Sequence, residues 1–425
     1  MRRALAAVAA GWAAVAAACA AGAWFTLHSL QQDFAAYWIA AGARRLGLDP
    51  YVNQVGSANA PLLWDGVALF RHSRFLYPPL VADLFRPLAS LPYLAAKGLF
   101  TAAMLGAWLA AGLLVSGRGK LEAAWRERVV FFLASALFFP FYRHLERGQI
   151  DLLLLLLLTI AWRERAHPWT AGAALAAAIG FKPTLAGLLP VVWAGGRRRV
   201  VLAAVGAGAS LLGLTAIVDG PARLAEYARE VLPRAALYGE GGTEEMLLPA
   251  SRLDAAESGA SEDAGTTLLD GRRYRTAIGE APAAASLPRL LAPEAPSPAS
   301  ARLPFLLAVG GLTVVARQLR SSGDARTAAL SFWAAAVACV VTSPAGWVMG
   351  LVLALPLAPL VAALVAEGRL PRGPTVAVAA AWIAVALPAP FAGWAAVAGA
   401  ALIVAAVVAA RAAATRPIPP DGGPT

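Results

Sequence analysis

The sequence predicts an all-α polytopic membrane protein, and three observations lead there. The 425-residue chain is 59% hydrophobic and only 14% charged, whereas an ordinary soluble domain carries about 25% charged residues. Apolar runs long enough to cross a hydrocarbon core of about 30 Å recur from end to end, among them Ala4 to Leu27, Val200 to Val218, Gly346 to Ala366 and Phe391 to Ala410. The basic residues, which give a net charge of +11, fall in short clusters between those runs. That is the signature of the positive-inside bias and does not call for a nucleic-acid partner.

Placing the clusters at Arg2–Arg3, Arg118 to Arg128, Arg163–Arg165, Arg197 to Arg199, Arg317 to Arg326, Arg369–Arg372 and Arg411–Arg416 on the cytoplasmic side gives about twelve crossings with both termini cytoplasmic. They are drawn at 4–27, 92–116, 129–142, 149–162, 169–181, 183–196, 200–218, 303–319, 327–343, 345–366, 374–388 and 391–410. A rival drawing splits Tyr77 to Ser116 into a hairpin and joins Thr170 to Gly195 into one crossing, which buries Lys182 in mid-span. The first run follows Arg2 and Arg3 and could be mistaken for a secretory signal, but it is too long for a usual signal core and reads as a retained helix.

The chain then divides into a first helix (1–29), an external loop (30–91), helices (92–218), a large external loop (219–302), further helices (303–410) and a cytoplasmic tail (411–425). The second loop is rich in Gly, Ala, Pro, Ser and acids, the composition of a mobile connection. Cys19 and Cys339 both sit in apolar runs, and no histidine has a partner at metal-ligand spacing, so neither a disulfide nor a metal or cofactor is expected.

Chemistry on a water-soluble group belongs in the external loops. The first begins "QQDFAAYWIAAGARRLGLDPY", with Asp33, Tyr37, Ala40 and Arg44 at spacings that put them on one helical face. This reads as an amphipathic helix on the membrane surface, aromatics at headgroup level, ended by Gly47 and Asp49–Pro50. Asp33 at its start is either an N-cap or a carboxylate able to take a proton from a hydroxyl. Tyr77-Pro78-Pro79 forces an extended entry to the next helix, with Tyr77 an interfacial anchor.

Two further stretches put polar groups at membrane depth. "RHLERGQIDLLLLLLL" sets Gln149 and Asp151 at the mouth of an apolar helix, after Arg143, His144 and Arg147. An acid at a helix start is favoured by the macrodipole, so Asp151 is also explained by capping. "AAAIGFKPTLAGLLP" holds Lys182 in an apolar stretch, where an ionisable group is unfavourable by at least about 2.5 kcal/mol unless it snorkels or finds a partner. Pro183 breaks the helix beside it, and a lysine at such a break suits an anionic group such as a phosphate.

Several of these stretches, "DFAAYWIAAGARRLGLDPY", "YPPLVADLFRPLASLP", "GQIDLLLLLLL" and "AAAIGFKPTLAGLLPVVWAGGRRR", followed by "TSPAGW", resemble in order the motifs of glycosyltransferase family 87 over roughly residues 30 to 360. The resemblance implies a GT-C-type fold and a bacterial plasma-membrane enzyme. Its donor would be a polyprenyl-phosphate sugar, with mannose the leading candidate, and its acceptor a lipid or glycan hydroxyl on the outer face. It implies that Asp33 is the general base and that Lys182 stands near the donor phosphate, helped by Arg143 or Arg147, with inversion at the sugar. Tyr37, Arg44, Tyr77, Gln149 and Asp151 complete the expected substrate-binding set. The mannosyltransferase branch carries histidines after S-P-x-S-W, but here Ser343-Pro344-Ala345-Gly346-Trp347 runs into Val348, Met349 and Gly350, and the family's G-Q-x-N reads Gly148-Gln149-Ile150-Asp151. The alternatives are a polytopic lipid or polysaccharide transporter and an inactive family member. Transport would be favoured by inverted repeats with paired broken helices, of which the sequence shows a single broken pair at Lys182–Pro183.

Overall fold

The computed structural model describes residues 2–51, 75–116, 121–233, 266–269, 272–275, 285–291, 298–344, 346–391 and 393–416. These residues are almost entirely helical. The exception is an antiparallel hairpin, β1 (Thr266–Leu269) with β2 (Arg272–Arg275), in which Thr266 stands opposite Arg275. Most of the second external loop, with its expected mobility, lies outside the described residues.

In chain order the helices are α1 (Arg2–His28), α2 (Gln32–Arg45), α3 (Pro79–Phe85), α4 (Tyr93–Leu114), α5 (Leu121–Ala136), α6 (Phe139–Arg147), α7 (Asp151–Arg163), α8 (Pro168–Phe181) and α9 (Leu188–Ala194). They continue with α10 (Arg198–Asp219), α11 (Pro221–Glu226), α12 (Leu287–Leu291), α13 (Pro298–Leu319), α14 (Ala325–Val341), α15 (Leu357–Ala366), α16 (Arg372–Ala386) and α17 (Trp394–Ala414).

Against the twelve expected crossings, six helices among the described residues are each long and apolar enough to span a membrane, or seven if the bent pair α5–α6 is one span. The expected crossing at 129–142 ran across that bend of 66°. Pro140 is the physical reason: it sits in the first turn of α6, where its missing N–H is tolerated, and so starts a new helix. The stretch 183–196 is likewise a short 3₁₀ turn (Pro183–Gly187) leading into α9. Nor is Thr170 to Gly195 one continuous helix, since α8 stops at Phe181 and α9 starts at Leu188.

Small residues let the helices approach closely, as membrane packing requires. A Cβ on Gly172 of α8 would lie 2.6 Å from the Ala203 Cβ and 2.7 Å from the Ala204 backbone nitrogen of α10. Polar ties then sort the helix ends into two groups. At one end Arg163 donates to the Leu114 and Ser116 carbonyls, Arg326 bridges Glu127 and Glu367, and Arg369 grips Asp324. At the other end Asp33 meets Arg147, Asp151 meets Lys182, and Arg44 meets Asp219.

The helix expected on the outer membrane surface departs from that expectation. It does not lie on a surface: every residue of α2 from Gln32 to Ala41 is buried. Its aromatic positions meet protein on both sides, with Phe34 against Phe100, Tyr37 stacked on Phe85, and Trp38 edge-on to Tyr93. An amphipathic pattern reports apolar faces but not whether lipid or another helix covers them.

Candidate active site

The corner between α1 and α2 is fixed by long-range polar contacts. Lys97, fully buried on α4, donates to the Ser29 carbonyl over 2.8 Å, and the Tyr93 hydroxyl donates to the Leu30 carbonyl. Ser29 in turn donates to the Glu146 carbonyl over 2.6 Å. Gln31 holds a left-handed conformation (φ 54), uncommon without glycine, while its amide donates to Thr101 Oγ1 and the Leu145 carbonyl. A conformation of that kind persists only where its surroundings over-determine it, and here they launch α2 toward the loop after α6.

That loop receives Asp33. Arg147, the last residue of α6, donates from Nε to Oδ2 over 2.9 Å and from Nη2 to Oδ1 over 3.1 Å, a bidentate pair buried on both sides. Gln149 Nε2 donates to Oδ2 over 2.7 Å, and Arg147 Nη1 also donates to Oε1 of the Gln32 side chain. Gly148 between them ends α6 at φ 69, and a Cβ there would lie 2.8 Å from both Gln31 Cβ and Phe34 Cβ. The N-cap reading of Asp33 is therefore corrected: Gln31 occupies the cap position without a side-chain cap, and the Asp33 carboxylate is turned to Arg147 and Gln149. Of about four lone-pair sites on a carboxylate, three are engaged, which leaves one on Oδ1 for a further donor.

Two residues past Gln149, Asp151 opens α7 and accepts from Lys182 Nζ over 2.8 Å. It sits in the first turn of α7, where the macrodipole favours an acid, but makes no side-chain cap and is held by the ion pair. The Asp151 side chain is 2% exposed and that of Lys182 21%, so the ammonium keeps an open side. Lys182 stands at the break between α8 and the following 3₁₀ turn, and a Cβ on Gly350 would lie 3.2 Å from its Nζ. In the same break, the buried Thr184 hydroxyl has no hydrogen-bond partner. His144 steadies the corner, its Nε2 accepting from the Leu152 N–H over 3.1 Å.

Tyr37 and Tyr77 share a hydrogen bond of 2.6 Å, and each reaches Gln149 Oε1 at 3.4 Å. Burial first, then Tyr77 and the Asp33 charge, push the Tyr37 phenol well above its ordinary range, so it stays a donor. The structure thus brings together Asp33, Tyr37, Tyr77, Arg147, Gln149, Asp151 and Lys182. Two expected binding residues are engaged by other carboxylates. Arg44 lies about three helical turns from Asp33 and pairs with Asp83 and Asp219, while Arg143 is tied to Glu146.

Sequence reading missed Gln31, Gln32, Tyr93, Lys97, Thr101 and Thr184. Lys97 carried the same signal as Lys182, an ionisable side chain within an apolar run. The "TSPAGW" stretch is clamped by an unforeseen residue, Arg289, which donates to the Pro344 carbonyl over 2.7 Å and lies 4.6 Å from the centre of the Trp347 ring.

The family model for glycosyltransferase family 87 matches residues 75–344, well over half of the chain. Comparison with curated proteins gives no match. Tyr77, Arg147, Gln149, Asp151 and Lys182 fall inside the matched stretch, while Asp33 and Tyr37 precede it. With its membrane-length helices and that match, the chain belongs to glycosyltransferase family 87, a family of membrane-embedded glycosyltransferases.

Proposed function

We propose that the protein transfers a sugar, mannose in the leading case, from a polyprenyl-phosphate donor to a hydroxyl of a lipid or glycan acceptor, with inversion. Asp33 Oδ1 takes the proton of the acceptor hydroxyl as its oxygen bonds to the anomeric carbon. The bond from that carbon to the phosphate oxygen breaks in the same displacement, and the polyprenyl phosphate departs with the electron pair. Lys182 stabilises the departing phosphate, and Arg147 orients Asp33.

The observation that carries this reading is the short stretch Arg147 to Asp151. Its first part grips Asp33 and its last residue grips Lys182, so an acid and a cation of opposite roles share one rigid support. The alternation of tied helix ends supports twelve passages of the membrane, some made by bent or broken helices, with the arginine-rich end cytoplasmic and the Asp33 end outside.

The test is to supply radiolabelled polyprenyl-phosphate mannose to membranes carrying wild type or Asp33→Asn. Loss of a general base lowers transfer by roughly 10² to 10⁴. Equal labelling of lipid or polymer at equal amounts of folded protein would overturn the assignment.

A further inference from the structure

The end of the molecule opposite Asp33 holds a cleft between α9, α10 and α13 with a volume of about 550 Å³. Three guanidiniums line it, Arg198, Arg317 and Arg320, with Leu189, Pro190 and Trp193 forming its apolar wall. Arg198 lies 5.4 Å from the centre of the Trp193 ring and is the first residue of α10, where unpaired backbone N–H groups add positive potential.

The charge balance here differs from the rest of this end. Arg326 and Arg369 are each satisfied by two carboxylates. Among the described residues, no carboxylate pairs with Arg198, Arg317 or Arg320. The backbone also makes room for the cluster: Gly196 sits at φ 85, and a Cβ there would lie 2.8 Å from Arg320 Nε. The three arginines are exposed and carry no carboxylate partner among the described residues, so the cleft presents a surplus of positive charge to an anion.

The surroundings of the cleft select the kind of anion. Leu202 and Val205, next along α10, are 61% and 55% exposed, and Leu306 and Leu307 on α13 are 63% and 66% exposed. Such side chains flank the cleft with surface suited to hydrocarbon, and the Trp193 ring at 41% exposure suits the headgroup level.

We infer that this cleft binds an anionic phospholipid, its headgroup phosphate held by Arg198, Arg317 and Arg320 and an acyl chain lying along the wall of Leu189, Pro190 and Trp193. The site is separate from the one proposed for sugar transfer and does not depend on it. A basic pocket between membrane helices is the chemistry that recognises such headgroups.

The test uses the full-length protein in detergent, with lipid retention counted by native mass spectrometry and melting followed on titration. Phosphatidylglycerol should be retained, and should raise the melting temperature, more than phosphatidylcholine. Each single change, Arg198→Gln, Arg317→Gln and Arg320→Gln, should weaken phosphatidylglycerol binding about fivefold, and the triple variant should treat the two lipids alike. The single variants keep the test decisive if the triple variant folds poorly. Unchanged phosphatidylglycerol preference in all three single variants would overturn the proposal. So would an equal effect of soluble glycerol phosphate, which would make the ligand a free anion.

Discussion

Asp151 and Lys182 form an ion pair of 2.8 Å in which the acid is almost wholly buried and the lysine partly open. The two are 31 residues apart, one at the start of α7 and the other where α8 is broken by Pro183. The pair therefore fastens two helix ends while leaving one side of the ammonium available to an anion.

Removing the lysine alone should be worse than removing both partners. Lys182→Met strands a buried carboxylate, and losing one partner of a buried pair is unfavourable by about 3–5 kcal/mol. The double variant Lys182→Met with Asp151→Leu should recover most of that stability but not the transfer activity. Melting curves and labelled-donor assays on the four members of the cycle separate the structural from the functional part.

Gly148→Ala should be among the most damaging small changes in the chain. The glycine holds φ 69, and the new methyl would meet Gln31 Cβ and Phe34 Cβ, both fixed on the corner that launches Asp33. Strain at such a backbone position is worth about 1–3 kcal/mol before the overlap is counted. Folded yield and melting temperature should both fall, and transfer should fall further than the loss of folded protein explains.

Lys97→Met tests the corner from its other side. The lysine is fully buried and donates to the Ser29 carbonyl. Leaving a buried acceptor unpaired is unfavourable by about 1–3 kcal/mol, so the melting temperature should drop. Thr101→Val, which removes a partner of the Gln31 amide, should add to the loss by less than its own single effect if the two hold the same corner.

At the arginine-rich end, stability should depend on acid in a defined direction. Burial alone would raise the Asp324 carboxyl, but hydrogen bonds from Arg369 and from the Thr327 and Arg326 backbone N–H groups outweigh it and hold the group below its ordinary range. Its folded value is depressed, so its contribution is fully present above the unfolded pKa of about 3.9 and is lost as pH falls through the folded value. The stability advantage of wild type over Asp324→Asn should be constant from about pH 5 upward and vanish in stronger acid. Melting temperatures of both proteins across that range check it.

Much of this is legible in the sequence alone. Composition and run length give a helical membrane protein, Pro183 gives the break beside Lys182, and the Gly148-Gln149-Ile150-Asp151 stretch marks the support of the site. The rest depends on contacts that spacing cannot carry. Arg44 shares a helical face with Asp33, yet its role is set by Asp83 and Asp219, the second 175 residues away. Arg147, which the resemblance sets beside the donor phosphate, has its guanidinium engaged by Asp33 and the Gln32 side chain, contacts that spacing does not announce. The burial of α2 was hidden because a helix sequence does not state what lies against its faces. Pro140, by contrast, was a visible helix start that a simple count of apolar residues passed over.

The match to the family model begins at residue 75, so Asp33 lies before it while the guanidinium and amide that hold its carboxylate lie within it. Positions 33 and 147 are therefore one buried ion pair divided between two parts of the chain. A lone guanidinium buried at 147 would be as unwelcome as a lone carboxylate at 33, so the two should change together or not at all. Relatives in which position 33 has become neutral should have lost the arginine as well. Wherever the acid survives, its partner should be found waiting at the end of the same short helix.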